Sequence, residues 1–534
     1  MWNNEWRGSI WTDLDQEWDM IVIGGGITGA GVFRTAVSAG LKTLLVEARD
    51  FSFGTSSRSS KLVHGGFRYL SNRQYHVTYE SVKERQRLLR NAPHLITPLP
   101  FNLPNYQKYN LPSRVLHLGV IIYDLMAPKW NHQVLSSNDI LDRFYGLNHI
   151  GLIKGFRYQD AVLDDSRLVF RIIRETVQDG GTAINYASVD HLLRDKNGAV
   201  HGIVVRDTAS DKGLTAEVKA KVIVNAAGPW TDEIRRELKN PDRLRLLRGS
   251  HLVFERARFP ASEALNFFHP HDRRAMFVIP WEGATLVGTT DIDHSEKQHK
   301  LHNEPCAEQN EIEYILSAVD FLFPQLNITQ TDIISSFAGL RPVINTGAAT
   351  PSKESRAHQV WNEDGLITIT GGKLTTFRIM AKDTLEIASA SIGKQIKINS
   401  HQRMLKDLRA DQCGKLEKET CNRLFGRFGG EAKELLHLAK SYELKKIGPL
   451  PTTWAEVRWA AASEGVVHLD DLLLRRTRIG LLLPEGGKAV FPRIRQLAQT
   501  ELGWSDNHWE IEEARYWDIW QSFYSPTPGK FSEK

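Results

Sequence analysis

Residues 20–50 read MIVIGGGITGAGVFRTAVSAGLKTLLVEARD, and the order of residue types in this stretch decides the fold. A β-branched run from Met20 to Ile23 ends at Gly24, and Gly24, Gly26 and Gly29 then give the spacing G-x-G-x-x-G. The following AGVFRTAVSAG predicts a helix closed by Gly40, and KTLLVE predicts a second strand ending on Glu47. Strand, turn, helix and strand are the parts a dinucleotide site needs. Gly24 permits the tight turn, Gly26 lets a pyrophosphate approach the backbone, and Gly29 brings helix against strand. The helix start offers unpaired N–H groups and a positive dipole end to the diphosphate. Glu47, 18 residues beyond Gly29, stands where a carboxylate takes the ribose hydroxyls and disfavours a 2′-phosphate. The bare glycine pattern also fits an unliganded turn. Strand, helix and terminal acid in register argue for a ligand, either NAD or FAD.

Three later segments separate the two cofactors. GTSSRSSKLVHGGFRYL (54–70) offers Thr55, Ser56, Ser57, Ser60 and Lys61 and then Gly65 and Gly66, where a nicotinamide fold would continue with a plain crossover helix. VIVNAAGPW (222–230) reads as a buried strand breaking at Ala226, Ala227 and Gly228, small residues that leave space beside an adenine dinucleotide. LITITGGKLTTFRIMAKDTL (366–385) predicts a strand, a turn at Gly371 and Gly372, and a helix whose first turn holds Lys373, Leu374 and Thr375. A lysine at an already positive helix start is misplaced unless an anion lies nearby. A reduced flavin, negative around N1 and O2, is such an anion.

Together with VIPWEGATLVGTTD, AGLRPV and RRTRIGLLLPEGG, these motifs run in one order from about Asp19 to Gly487. In that order the chain resembles the FAD-dependent glycerol-3-phosphate dehydrogenases, in particular the single-subunit aerobic bacterial type. The resemblance implies hydride transfer from C2 of sn-glycerol 3-phosphate to flavin N5, giving dihydroxyacetone phosphate, with the quinone pool as acceptor. It implies peripheral contact with the inner face of the bacterial plasma membrane from the cytoplasmic side. An amine or amino-acid oxidase of the same flavoprotein superfamily is the alternative.

The implied roles fall on particular residues. Arg68, Tyr69, Arg341 and Arg356 stand where the family places active-site polar groups, and arginine suits a phosphate because its planar fork matches two oxygens at once. Pro342 holds the backbone of Arg341 extended. His64, in KLVHGGFRY, is the first choice for the group that takes the hydroxyl proton, since a neutral imidazole near pH 7 is matched to that task. His251 is the second histidine in register, a contact to substrate or oxyanion, and the bland reading of each histidine is a hydrogen-bonded structural residue. Arg341 beside the hydroxyl could itself favour the alkoxide. Lys373 is read as contacting both flavin and substrate. Many bacterial relatives carry an Asn before the segment DRRAMFVIPW, whereas this chain has Pro270 and His271; His269 or His271 is expected to substitute, or the substrate preference to change.

Length and composition agree with a large globular protein of more than one domain. A chain of 534 residues exceeds one core, and its 41% apolar and 25% charged content is that of a globular protein. The expected architecture is α/β: a Rossmann-like FAD layer from 19–90, 155–245 and 345–391, interleaved with an antiparallel substrate sheet from 91–154 and 246–344. A helical domain follows over 392–534, with packing or homodimer contact as its expected jobs, and residues 1–18 are read as a polar, Trp-rich extension, disordered or interfacial. That extension lacks a charged start followed by an apolar run, so secretion is not expected. The longest apolar run, Leu118 to Ala127, is about half of the roughly 20 residues that span a bilayer. Helix 377–394, basic and amphipathic, fits either a lipid surface or ordinary core packing. Three cysteines (Cys306, Cys413, Cys421) give neither a disulfide framework nor an iron–sulfur or zinc site, so a reducing compartment and no metal are expected. The net charge of +5 suits an anionic substrate or membrane surface, and no compact Lys/Arg tract interleaved with aromatics points to nucleic acid.

Overall fold

The computed structural model describes residues 2–527 apart from 4, 67–74, 109–111, 127–131, 210–212, 295–303, 348–353, 355–356, 394–395, 400, 408–412 and 414–415. Two sheets dominate. The first orders its strands His358–Glu363, Leu366–Gly371, Thr215–Asn225, Trp18–Ile23, Thr43–Val46 and Thr182–Ile184. Its four central pairings are parallel, with Ile21 beside Ile223 on one side and Leu44 on the other. Such strands are covered on both faces, which is why they read as unbroken apolar runs. Met20, Ile21, Val22, Leu44, Leu45, Ile223 and Val224 are completely buried. The helix Ile27–Ser38 lies over them, with helix Phe377–Ile392 packed beside it on the same sheet, Gly31 sitting so close to Phe377 that a Cβ would come within 2.8 Å of its ring.

The second sheet has ten strands, in the order Ile292–Asp293, Leu244–Glu255, Ala284–Gly288, Ala275–Trp281, Ala264–Phe268, Ile96–Tyr106, Leu152–Leu163 and Leu62–Val63. Ile333–Ile344 pairs with Leu244–Glu255 from Leu244 to Phe254, with an irregularity at Val253/Phe254, and Gln133–Ser136 pairs with Leu152–Leu163. Every pairing is antiparallel except Ala264–Phe268 with Ile96–Tyr106. The alternation in MFVIPWEGATLVGTTD does form a hairpin, its turn made by Glu282 and Gly283 in the left-handed region. Leu152–Leu163 and Leu62–Val63 belong to this sheet although the sequence assigned 155–245 and 19–90 to the nucleotide layer. Ile96–Tyr106 pairs along nearly its whole length with Leu152–Leu163, a long-range match that no local pattern announces.

The carboxy-terminal part is helical, with Lys418–Phe428, Trp454–Ser463, Phe491–Leu502 and Asp506–Phe523 as its main helices. Asp471–Arg476, the DLLLRR stretch, forms a π-helical turn whose charges reach into the nucleotide layer. Asp50 takes Arg475 at 2.6 Å and both terminal nitrogens of Arg476 at 2.7 Å, all three side chains being buried.

Several expectations change. The amino-terminal tryptophans are core, because Trp2 stacks on Trp6 and Phe51 and donates its backbone N–H to Ser463. Arg7 fastens the same segment to Asp207 and Asn185. Helix Phe377–Ile392 buries Phe377, Met380, Ala381 and Leu385, while Arg378 holds Glu84 with a two-point fork, so core packing accounts for its amphipathic pattern. Cys413 and Cys421, read as reduced, lie with Cα atoms 5.8 Å apart, because the start of helix Lys418–Phe428 brings them within bridging reach of each other. Cys306 is free. Among the described residues no helix is long and apolar enough to cross a membrane.

Candidate active site

The two sheets enclose a cavity of about 1030 Å³. Its floor is the glycine turn. Gly24 adopts φ +112°, and a Cβ there would lie 2.5 Å from the Ala226 carbonyl oxygen, so only glycine lets the first strand and Ala226 meet. Glycine keeps the backbone uncovered at two points: a Cβ on Gly26 would crowd Ser56 Oγ at 3.1 Å, and one on Gly228 would meet nothing within 4 Å. Two backbone stretches are thus bare where a pyrophosphate and a ring system would rest. Ser56 Oγ accepts the Ile27 N–H at 2.9 Å at the start of helix Ile27–Ser38. Glu47 accepts N–H bonds from Gly25 (2.6 Å) and Arg49 (2.9 Å); burial raises its carboxyl above the usual range, and those two donors work against the rise. These features fit an adenine dinucleotide: bare backbone, a helix amino terminus and a carboxylate at the end of the second strand.

Of the residues expected to hold the cofactor, Gly24, Gly26, Glu47, Thr55, Ser56, Ser60, Ala227, Gly228, Gly372, Lys373, Leu374 and Thr375 all face the cavity. Gly29 instead packs below it. Ser57 and Lys61 point away, which corrects their assignment. Ser57 Oγ returns to the Phe53 carbonyl at 3.2 Å, and Lys61, with φ +60°, buries its amine against Asp165 (2.9 and 3.0 Å) and Ser57 O (2.6 Å). Burial lowers that amine to about 8 despite Asp165.

The roof is cationic. Arg341 donates to Asp291 Oδ1 at 3.0 Å, Thr289 Oγ1 at 2.9 Å and the Thr290 carbonyl at 3.2 Å. Arg274 donates to the Asp291 carbonyl at 2.8 Å, and Arg273 and Arg274 both line the cavity. His251 is buried, stacked on Phe337 and joined through Nε2 to Ser60 Oγ at 2.9 Å; its Nδ1 has no hydrogen-bond partner. Burial, then Arg341 and Lys61, push its pKa well down. Asn266, also facing the cavity, gives its amide N–H to Tyr158 at 2.9 Å and leaves Oδ1 without a partner.

His64 lies at the wall, directly after strand Leu62–Val63 and before Gly65, whose N–H donates to Tyr123 OH at 2.8 Å. Burial lowers its imidazole to about 4, with Lys373 and Arg85 acting the same way and Asp160 against them. His64 is therefore neutral at pH 7. Lys373 Nζ donates to Ser81 Oγ at 3.0 Å from the turn before helix Phe377–Ile392.

Arg68, Tyr69 and Arg356 lie outside the described residues. His269 and His271, the two residues expected to substitute for an Asn, are not part of the cavity wall, and His269 is stacked on Tyr314 at 3.9 Å and bonds its carbonyl. Sequence reasoning missed Arg274, Asp291, Asn266 and Tyr158. A clue was present in DRRAM and GTTD, charged groups at the ends of otherwise apolar strands. The helix Ser113–Leu125 was also unassigned to the site; Leu116, Val120 and Tyr123 are buried, while Val115, Leu118, Gly119 and Ile122 border the cavity.

Residues 19–384 match the model of the FAD dependent oxidoreductase family, and residues 376–508 match the C-terminal domain of alpha-glycerophosphate oxidase. The aerobic glycerol-3-phosphate dehydrogenase of Staphylococcus saprophyticus is 34% identical over 499 residues, covering 88% of each chain. Among solved structures, the glycerol-3-phosphate dehydrogenase of Bacillus halodurans complexed with FAD superposes with a TM-score of 0.80 at 28% identity over 100% of both chains. The L-alpha-glycerophosphate oxidase of Mycoplasma pneumoniae, at 17% identity, shares the fold over 74% of this chain and 99% of its own, with a TM-score of 0.56.

Proposed function

The chain belongs to the FAD dependent oxidoreductase family, in the branch that carries the C-terminal domain of alpha-glycerophosphate oxidase, and from that premise we propose how its residues divide the work. It is an FAD-dependent glycerol-3-phosphate dehydrogenase, oxidising sn-glycerol 3-phosphate to dihydroxyacetone phosphate. When bound, FAD supplies a hydride acceptor at N5 for the hydrogen on C2. The protein must hold a phosphate dianion, aim C2 and remove the hydroxyl proton.

Arg341 and Arg274 hold the phosphate. The fork of Arg341 is fixed by three oxygen acceptors, so little side-chain freedom is lost when an anion arrives. A ring nitrogen of His64 takes the C2 hydroxyl proton, and its neutrality in the free protein leaves that nitrogen able to accept. A dianion brought into the cavity raises the imidazole towards neutrality of pH, which improves the match between base and task. His251 Nδ1 contacts a substrate oxygen, and the ammonium of Lys373 balances negative charge at the pyrimidine edge of the flavin.

One observation carries this reading: Arg341, His64 and the bare backbone at Gly26 open on the same cavity. The test is anaerobic mixing of holoenzyme with sn-glycerol 3-phosphate while flavin absorbance is followed. Rapid bleaching is expected, with none from glycine or its N-alkyl derivatives; bleaching by the amino compound and not by the ester would overturn the reading in favour of an amine oxidase.

For the acceptor, the reading is a quinone reached from a lipid surface. Val115, Leu118 and Leu125, on the helix bordering the cavity, are 51%, 56% and 67% exposed, an apolar face of the kind that soluble surfaces rarely leave bare. This supports peripheral docking on the inner face of a bacterial plasma membrane. Faster turnover with a short-chain quinone in liposomes than with dissolved oxygen is the expected result.

A further inference from the structure

The segment Thr55–Lys61 is gripped from behind by the carboxy-terminal domain at two points. The first is Arg478, fully buried, which donates to the Ser57 carbonyl at 3.2 Å, to Asp164 at 3.0 Å and to Asp165 at 2.5 Å. Asp165 passes the hold on, accepting the Ser59 N–H at 3.0 Å, the Ser59 hydroxyl at 2.7 Å and the Lys61 amine at 2.9 Å. The second is Tyr524, at the end of helix Asp506–Phe523. Its hydroxyl receives a hydrogen bond from Arg58 at 2.8 Å and donates to Glu304 at 2.8 Å, and Arg58 is also paired with Glu304. Tyr524 is itself pinned to the second sheet, its carbonyl accepting the Ser336 N–H at 2.8 Å.

Arg58, Ser59 and Ser60 face the cavity on their other side, whereas Arg478 and Tyr524 do not. Ser60 also carries the bond to His251. Buried ion pairs of this kind contribute little net stability, because desolvation offsets the attraction, so stability alone is a weak reason to keep Arg478 and Lys61 in the interior. Geometry is the stronger one. Given FAD in the cavity, as the functional reading has it, we propose that the carboxy-terminal domain is a positioning element for the cofactor-cradling segment. Arg478 and Tyr524 set FAD affinity and, through Ser60 and His251, the substrate KM, while touching neither ligand.

The test uses full-length protein carrying Arg478→Lys or Tyr524→Phe, with Arg458→Ala as control. Arg458 pairs with Glu501 at 2.7 Å and with Glu443 at 3.4 Å, both inside the same domain, and is about a third exposed. Apoprotein is titrated with FAD by flavin fluorescence, visible circular dichroism of the bound flavin is recorded, and KM and kcat are measured. FAD Kd is expected to rise at least tenfold in Arg478→Lys and about threefold to tenfold in Tyr524→Phe, with an altered dichroism band and KM raised more than kcat falls. The control should stay within twofold in Kd, even at a lower melting temperature. Parent-like Kd and dichroism in Tyr524→Phe and in any soluble Arg478→Lys would overturn the proposal; if Arg478→Lys does not fold, the isosteric Tyr524→Phe decides. The parent's own bleaching by sn-glycerol 3-phosphate is scored separately and bears on the functional reading alone.

Discussion

A Cβ placed on Gly29 would lie 1.8 Å from the carbonyl oxygen of Gly24. No side-chain rotation relieves that overlap, because both atoms belong to backbone held by the first strand and its helix. Gly29→Ala is therefore expected to force the helix Ile27–Ser38 outward, costing about 3 kcal/mol or more, at the upper end of overpacking effects. The purified variant should carry far less FAD per chain and melt earlier than the parent. A variant that retains full flavin content would contradict the packing argument.

Arg341→Ala removes a charged fork from the roof of the cavity. Loss of hydrogen bonds to a charged group is worth about 3 kcal/mol, which is on the order of 100-fold in kcat/KM for glycerol 3-phosphate. Arg341→Lys should recover less than a tenth of that loss, since a single ammonium cannot span Asp291, Thr289 and a phosphate. Steady-state kinetics with a dye acceptor decides, and equal recovery by lysine would argue against two-point binding.

His64→Asn should lower kcat by roughly 100- to 10,000-fold, the range for removing a positioned proton acceptor, with a smaller change in KM. Stopped-flow bleaching rates read this directly. An unchanged rate would pass the proton to another group.

The same histidine gives stability a pH dependence whose sign is fixed. Its folded pKa is about 4 against 6.5 for the ordinary imidazole, burial being the main cause. Between those values the unfolded chain binds a proton that the folded one refuses, so the contribution is complete above pH 6.5 and is lost as pH falls towards 4. The shift corresponds to about 3 kcal/mol at most. Urea melts of apoprotein from pH 7 to 4 should show a shallower decline for His64→Asn; parallel profiles would mean that the imidazole titrates normally.

Leu125→Glu places a charge on the most exposed apolar residue of the helix Ser113–Leu125, outside the lining of the cavity. Transfer of that side chain to a bilayer interface then becomes unfavourable. Cosedimentation with anionic liposomes should fall severalfold while dye-linked turnover stays within twofold. Undiminished cosedimentation would place the lipid contact elsewhere.

The nucleotide layer was legible because its signals are local: a β-branched strand, three spaced glycines and an acid lie within 28 residues, from Met20 to Glu47. Lys61 was misread for the opposite reason. Its side chain direction depends on a left-handed backbone and on Asp165, a partner 104 residues away, and neither can be read from SSRSSK. The amino-terminal tryptophans mislead in the same manner, since the surfaces they cover, Phe51 and Phe170, come from elsewhere in the chain. Arg341 and His251 were recognised through motif order, whereas Arg274 and Asp291 emerge only once Leu244–Glu255, Ala284–Gly288 and Ile333–Ile344 lie side by side. Pairing over such separations is set by whole strands, and single residues carry little mark of it.

The fork between Asp50 and Arg476 lies where neither water nor dissolved ions penetrate. Screening by electrolyte acts on charges that solvent can surround, so this fork is weakened far less than a surface ion pair when buffer is exchanged for brine. Heat is a different matter: hydration of free charges grows less favourable as temperature climbs, so the cost of keeping this fork dry falls on warming.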